Sequence, residues 1–205
     1  MARDMQSITK MSRREGYALH PKALRLMVKR STIPGQHGRS NRRTTTSQYS
    51  LQLREKQKVK RLYGLLERQF SNLMVEASRQ KGQAGTVLLQ LLEKRLDNTV
   101  YRAGFAPSRR AARQLVTHGH FILNDRRVDI PSIRVKIGDV ITVRPHSVQT
   151  EYFKRLDEIT GGGDVSVSWL KANRKKFEIT VTGEPSRDEA EPEINEQLIV
   201  EYYSR

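Results

Sequence analysis

Residues 108–144 read SRRAARQLVTHGHFILNDRRVDIPSIRVKIGDVITVR, and the architecture follows from them. Pro107-Ser108 opens a short helix with Ser108 as N-cap, and Gly119 ends it. Wound at about 100° per residue, Ala111, Ala112, Leu115 and Val116 fall on one arc, and Arg109, Arg110, Arg113, Gln114 and Thr117 on the other. One face packs and the opposite face is cationic. His120 to Leu123 reads as a strand, Asn124-Asp125 as a tight turn and Arg126 to Val128 as the returning strand. Gly138-Asp139 turns into a last strand, Val140 to Arg144, with period-two alternation. A basic helix therefore packs beside a small sheet whose turn carries Arg126 and Arg127, and two such elements can straddle a nucleic-acid backbone.

Upstream, residues 85–105 read as one helix after Gly82 and Gly85, with Thr86 as N-cap and Val87, Leu88, Leu91, Leu92, Leu96 and Val100 on its buried side. Residues 47–82 are helical behind an N-cap at Ser47. Val59, Leu62, Tyr63, Leu66, Phe70, Leu73 and Ala77 form the core stripe, and Gly64 is placed to split it in two. The first half carries Arg54, Lys56, Lys58, Lys60 and Arg61 against Glu55 alone, which favours a phosphate-facing helix over a merely solvated one. Residues 1–46 are basic and rich in turn formers, and weak intrinsic order is predicted for them. At the other end, 194–205 alternates Leu198, Val200 and Tyr202 with Ile199, Glu201 and Tyr203, which reads as a strand.

Over 205 residues the net charge is +16, unevenly spread. Residues 1–92 hold 19 basic and 5 acidic side chains, 93–150 hold 11 and 5, and 151–205 hold 8 and 12. The polyanion-binding face thus belongs to the first three quarters of the chain, and the acidic tail is a solvated or protein-facing edge. There is no cysteine, which excludes disulfides, thiolate metal sites and a thiol nucleophile. No apolar run approaches the ~20 residues of a membrane-spanning helix, and the N-terminus lacks the apolar core of a secretory signal. The five histidines show neither metal-ligand spacing nor an acidic partner cluster. His37, His118 and His120 read as hydrogen-bonding or stacking groups for RNA. Gly161-Gly162-Gly163 lacks the lysine and hydroxyl of a phosphate loop and suggests a flexible loop. Trp169 and Tyr202 sit in neutral or acidic surroundings, as core or interface residues do.

These residues resemble a known family. SRRAARQLVTHGHFILNDRRVDIPS followed by KIGDVITV resembles the S-four RNA-binding module. PGQHG at 34–38, LQLREKQKVKRLYG at 51–64, LEKRLDNTVYRAGF at 92–105 and INEQLIVEYYSR at 194–205 are similar, in order, to the small-subunit ribosomal protein family that gave the module its name. The resemblance implies an α+β fold: a helical N-terminal domain plus a helix–helix–sheet module with a mostly antiparallel sheet. It divides the chain into a basic extension (1–46), a helical domain (47–92), the RNA-binding module (93–150) and a C-terminal segment that packs back on the helical domain (151–205). It implies direct binding to the 5′ domain of 16S-type rRNA, an early role in assembly of the 30S-type subunit, proximity to incoming mRNA and a contact with ribosomal protein S-five that bears on decoding accuracy. The setting is a bacterial cytoplasm or an organelle.

Charge and resemblance together mark Arg3, Arg13, Arg14, Gln36, His37, Arg39, Arg42, Arg43, Arg54, Lys56, Lys58, Lys60, Arg61, Arg109, Arg110, Arg113, His118, His120, Asn124, Arg126 and Arg127 as RNA-facing. Glu196, Gln197, Tyr202 and Tyr203 are marked for the protein partner, so that trimming the tail is expected to leave RNA binding largely intact. Many members of the family hold zinc through N-terminal cysteines. Thr9-Lys10-Met11-Ser12 supplies no thiolate, so the zinc-free branch is implied, with no metal and no cofactor. The segment between Arg14 and Pro34 is short for the family, and Asn124-Asp125 replaces its usual Asn-Gly turn. Two other functions use the same module. A pseudouridine synthase needs a catalytic domain for which residues 145–205 are too few. An RNA chaperone or translational repressor lacks the 47–82 helices and the INEQLIVEYYSR end.

Overall fold

The basic N-terminal segment departs from its predicted weak order by forming two helices, α1 (Ile8–Glu15) and α2 (Pro21–Lys29). A few local devices suffice. Gly16 closes α1 at φ +65°, a left-handed conformation natural to glycine. His20 caps α2 by accepting from Lys22 N–H at 3.0 Å, and Pro21 occupies the first helical turn. Met11, Leu19 and Ala23 are buried, anchors too sparse to register as a pattern among charged neighbours. A 3₁₀ turn, Gln36–Arg39, follows. The computed structural model describes residues 4–39, 47–161 and 167–204.

Helix α3 (Gln48–Leu62) starts at the expected cap, with Ser47 Oγ accepting from Ser50 N–H at 3.2 Å. Gly64, at φ +66°, separates it from α4 (Glu67–Arg79), as the sequence suggested. The next segment departs from the expected single helix. It forms α5 (Ala84–Glu93) and α6 (Leu96–Arg102), and α5 begins two residues before Thr86. The break lies at Lys94-Arg95, whose backbone bonds to a distant segment. Val135 N–H donates to Lys94 C=O at 2.9 Å, Leu96 N–H donates to Ile133 C=O at 2.8 Å, and Arg95 bridges Arg134.

Helix α7 (Arg109–Thr117) keeps its predicted cap and stop: Ser108 Oγ accepts from Ala111 N–H, and Gly119 stands at φ +70°. Its Ala112, Leu115 and Val116 are buried. Then come β1 (Phe121–Leu123), β2 (Arg126–Val128), β3 (Val140–Val143), three short helices α8 (Pro145–Val148), α9 (Glu151–Lys154) and α10 (Leu156–Thr160), and β4 (Leu170–Asn173) and β5 (Glu178–Val181). The strands form one antiparallel sheet in the order β2-β1-β3-β5-β4. The fold is the expected α+β, with β4 and β5 extending the sheet beyond the 108–144 stretch. The β1–β2 turn keeps positive φ at both Asn124 (45°) and Asp125 (66°), the signs that type I′ demands. Asn124 steadies it by donating to Asp139 Oδ1 at 2.8 Å and accepting from Val140 N–H at 2.9 Å.

The chain divides into two compact units, Met1–Leu88 with Glu193–Arg205, and Leu89–Pro192. The second is cored by Phe121, Phe153, Trp169, Ile141 and Ile179 beneath α6 and α7 residues such as Leu96 and Val116. Phe153 meets the rings of Phe121, Tyr152 and Phe177 edge-on, a preferred aromatic geometry. The first unit contains the clearest departure from expectation. Residues 194–205 form a helix, α11 (Glu196–Tyr203), rather than a strand. Asn195 caps it by accepting from Gln197 N–H at 3.2 Å, and fully buried Ile199 faces inward as α11 packs on α3. A short apolar run fits either period, and packing decides between them.

Candidate nucleic-acid interface

Helix α3 carries five of the cations marked for RNA, and within the first unit each reaches a carboxylate. Arg54 and Arg61 share Glu15, whose side chain is fully buried. Lys56 and Lys60 share Glu67 at 2.6 and 3.0 Å. Lys58 pairs with Glu55 at 3.1 Å and also donates to Glu193 C=O. Lys56 is itself buried, with its Nζ 4.6 Å from the Tyr202 ring centre. Burial raises the Glu15 pKa above its ordinary 4.5, against the pull of Arg54 and Arg61. Burial also acts to raise that of Glu67, but hydrogen bonds and charge from Lys56 and Lys60 outweigh it and hold the group below 4.5. A depressed folded-state pKa means that the unfolded chain takes up the proton more readily. The stabilisation is therefore present above the usual glutamate value and is lost as pH falls through the depressed one. Glu67→Gln is expected to flatten the acid limb of stability against pH in thermal unfolding; an unchanged limb removes Glu67 from the acid response.

In the second unit, the helical face that looked uniformly cationic is divided. Arg113 Nη1 donates to Asp97 Oδ2 at 3.1 Å, and Arg95 donates to both oxygens of the same carboxylate. Arg109 bonds Asn98 Oδ1 at 2.9 Å and Glu191 Oε1 at 2.8 Å, with its guanidinium 4.7 Å from the Tyr101 ring centre. Buried Glu93 takes a forked pair of bonds from Arg102 at 3.0 and 2.8 Å and one from Asn98 at 2.7 Å. Much of the charge of Arg109 and Arg113 is thus directed inward.

What stays outward is a smaller set. Arg110 on α7 and Arg126 and Arg127 on β2 are exposed and have no carboxylate partner among the described residues. The Arg127 guanidinium lies over Gly119: a Cβ built there would sit 3.0 Å from its Nε and Nη2. This contact joins the hairpin to the end of α7. Exposed His118 follows α7, its ring 6.0 Å from that of His120. His120 Nδ1 bonds Ser147 Oγ at 2.9 Å. Burial, then the neighbouring His118 and Arg144, push the His120 pKa below 6.5, so at neutral pH it offers a hydrogen bond rather than a charge. Arg144 was overlooked in the sequence because it closes a strand; its Nη1 donates to Gly119 C=O at 3.3 Å. Asn124 is engaged by its own turn.

Of the remaining marked residues, Arg13 bonds Thr32 C=O and Oγ1, while Arg14, Gln36 and His37 are exposed. Arg3, Arg42, Arg43 and the side chain of Arg39 lie outside the described residues. On α11, Gln197 is exposed, Tyr202 stacks with Tyr49 at 5.8 Å, and Tyr203 donates to Glu67 Oε1 at 3.1 Å. Glu196 packs close to Gly85. Besides Arg144, sequence reasoning misses the carboxylates Glu15, Glu67, Asp97 and Glu191. Glu15 and Glu67 stand out only as isolated acids within basic segments; Asp97 and Glu191 carry no such signal.

Residues 3–93 match the ribosomal protein S4/S9 N-terminal domain, and residues 94–141 match the S4 domain. The chain is 52% identical to the small ribosomal subunit protein uS4 of Chloroflexus aurantiacus. It is also 52% identical to that of Herpetosiphon aurantiacus and 49% identical to that of Clostridioides difficile. Each match covers 100% of both chains.

Proposed function

The chain belongs to the uS4 family of small ribosomal subunit proteins, structural rather than enzymatic, and on that premise we propose that it binds small-subunit rRNA directly through the open cations of its S4 domain. The observation that carries this reading is the exposure of Arg110 on α7 and of Arg126 and Arg127 on β2, none with a carboxylate partner among the described residues. Cations already paired inside the fold gain less from a phosphate, whereas unpaired ones release counterions from RNA when they bind. The rRNA segment is the 5′ domain, which the protein organises early in small-subunit assembly on the bacterial cytoplasmic ribosome. The exposed edge of α11 and the neighbouring Tyr49 suit a protein partner; by family resemblance that partner is ribosomal protein S-five, and through it the protein contributes to translational accuracy. Proximity to incoming mRNA rests on the resemblance alone.

Binding of the intact protein to its rRNA 5′ domain as a function of salt tests the central claim. Each lost phosphate contact removes about 0.7–0.9 from the log–log slope, so replacing Arg110, Arg126 and Arg127 with Gln is expected to remove roughly 2–3. A folded triple variant with an unchanged slope would take this face out of the interface.

A further inference from the structure

The C-terminal quarter is acidic overall, yet residues 171–177, KANRKKF, hold four cations and no acid. They include the β4–β5 turn, whose last residue, Phe177, stands at φ +53°. Glycine and asparagine adopt that conformation with ease, whereas a bulky aromatic residue there is an outlier. Backbone bonds hold Phe177 on both sides. Its N–H donates to Arg174 C=O at 3.3 Å, and its C=O accepts from Val143 N–H at 3.0 Å. The half-buried ring meets Phe153 edge-on at 6.0 Å. A cavity of about 190 Å³ is lined by Phe177 together with buried Phe153 and Leu156. Arg174 and Asp157 line it too. Arg174 Nη1 donates to Asp157 Oδ1 at 3.0 Å and to Thr160 Oγ1 at 3.3 Å, and Nη2 donates to Gly104 C=O at 3.3 Å. The guanidinium plane is therefore fixed. Lys154 and Lys175, both exposed, complete the lining.

We propose that this cavity receives one unpaired nucleobase, which lies against Phe177 and the Arg174 guanidinium while Lys154 and Lys175 hold the phosphate attached to it. An aromatic ring and a fixed guanidinium are the flat surfaces on which unstacked bases are bound. The costly φ of Phe177 marks a side chain kept for its ring rather than for its turn. Asp157 opposes a bare anion in the cavity, but its carboxylate accepts from the N–H groups of a base edge. The volume is below the ~300 Å³ at which pockets for whole small ligands begin. It suits a single ring system, with sugar and phosphate left outside where the exposed lysines stand. The site adds recognition of a base to the phosphate neutralisation proposed above. It rests on that reading only for the source of the nucleotide: an unpaired base of RNA or a free nucleotide.

The test follows the amide resonances of residues 174–177 in the intact protein by NMR while AMP is added at constant ionic strength. Ribose 5-phosphate, which lacks the base, is the control. The amides are expected to shift and saturate with AMP and to respond little to the control. Phe177→Leu keeps an apolar contact for Phe153 but removes the ring, and is expected to weaken AMP binding about tenfold, the scale of one lost base–aromatic stack. Lys154→Gln/Lys175→Gln, at two exposed positions, is expected to weaken AMP binding and leave adenosine binding unchanged. If Phe177→Leu fails to fold, this second variant decides. A shift that fails to saturate, an equal response to ribose 5-phosphate, or variants that bind as the parent does overturn the site. Chemical probing of rRNA bases in the complex separates the sources. A base protected by the parent and reactive with a folded variant places RNA in the cavity. Identical protection beside saturable AMP binding assigns it to free nucleotide. Failure of the ribosomal reading, seen as no rRNA binding by the parent protein, leaves the AMP titration to decide the cavity by itself.

Discussion

Asp97→Ala is expected to lower the unfolding free energy of the second unit by about 3–5 kcal/mol, the usual consequence of stripping one partner from a buried ion pair. The Asp97 side chain is only 6% exposed, as is that of Arg95, and Arg113 is little more open. Its two oxygens accept from Arg95, Arg113 and the Asn98 backbone N–H. Removing the carboxylate leaves the Arg95 guanidinium in a site that water reaches poorly. The chain has one tryptophan, Trp169, 2% exposed in the core of this unit, so its fluorescence during urea unfolding reports the unit directly. Asp97→Asn keeps an acceptor and the shape but not the charge, and is expected to fall between parent and alanine variant. A loss below about 1 kcal/mol would mean that Arg95 and Arg113 find water or another acceptor.

The second large effect concerns the C-terminus. Removing residues 196–205 is expected to cost the first unit at least the ~2–5 kcal/mol of an Ile→Ala core truncation, because fully buried Ile199 goes with α11. Other supports go as well. Gln52 loses its bond to Glu201, Glu67 loses the Tyr203 hydroxyl, and buried Lys56 loses its aromatic cover. Hydrogen exchange should show α3 amides losing protection while Trp169 fluorescence stays as in the parent. The expectation that a trimmed protein keeps most of its RNA affinity is therefore replaced: affinity should fall to the extent that RNA contacts depend on an ordered α3. Unchanged exchange protection in α3 would remove α11 from the stability of the unit.

Local sequence is blind to distant partners. Five cations against Glu55 in one window suggest an RNA-facing helix, but the window does not reveal that Glu15 lies 39 and 46 residues from Arg54 and Arg61, or that Glu191 lies 82 from Arg109. Period is equally undecided over a short stretch. The tail's Leu198-Ile199-Val200 and Tyr202-Tyr203 suit a helix face as well as a strand, and contact with α3 selects the helix.

What the sequence determined by itself was everything set by local stereochemistry. Ser108, Gly119 and the two arcs of α7 specify a capped amphipathic helix. Asn124-Asp125 between alternating strands specifies a hairpin, because Asn and Asp are the side chains that best tolerate the positive φ its turn requires. The tertiary structure alone decided the break at Lys94-Arg95, where backbone groups of 94–97 bond across to 131–135, and the identity of the outward cations. Both are set by partners far along the chain. Helix capping and turn formation are settled within a few residues, whereas a buried charge or an open backbone group is satisfied only by whatever the completed fold brings to it.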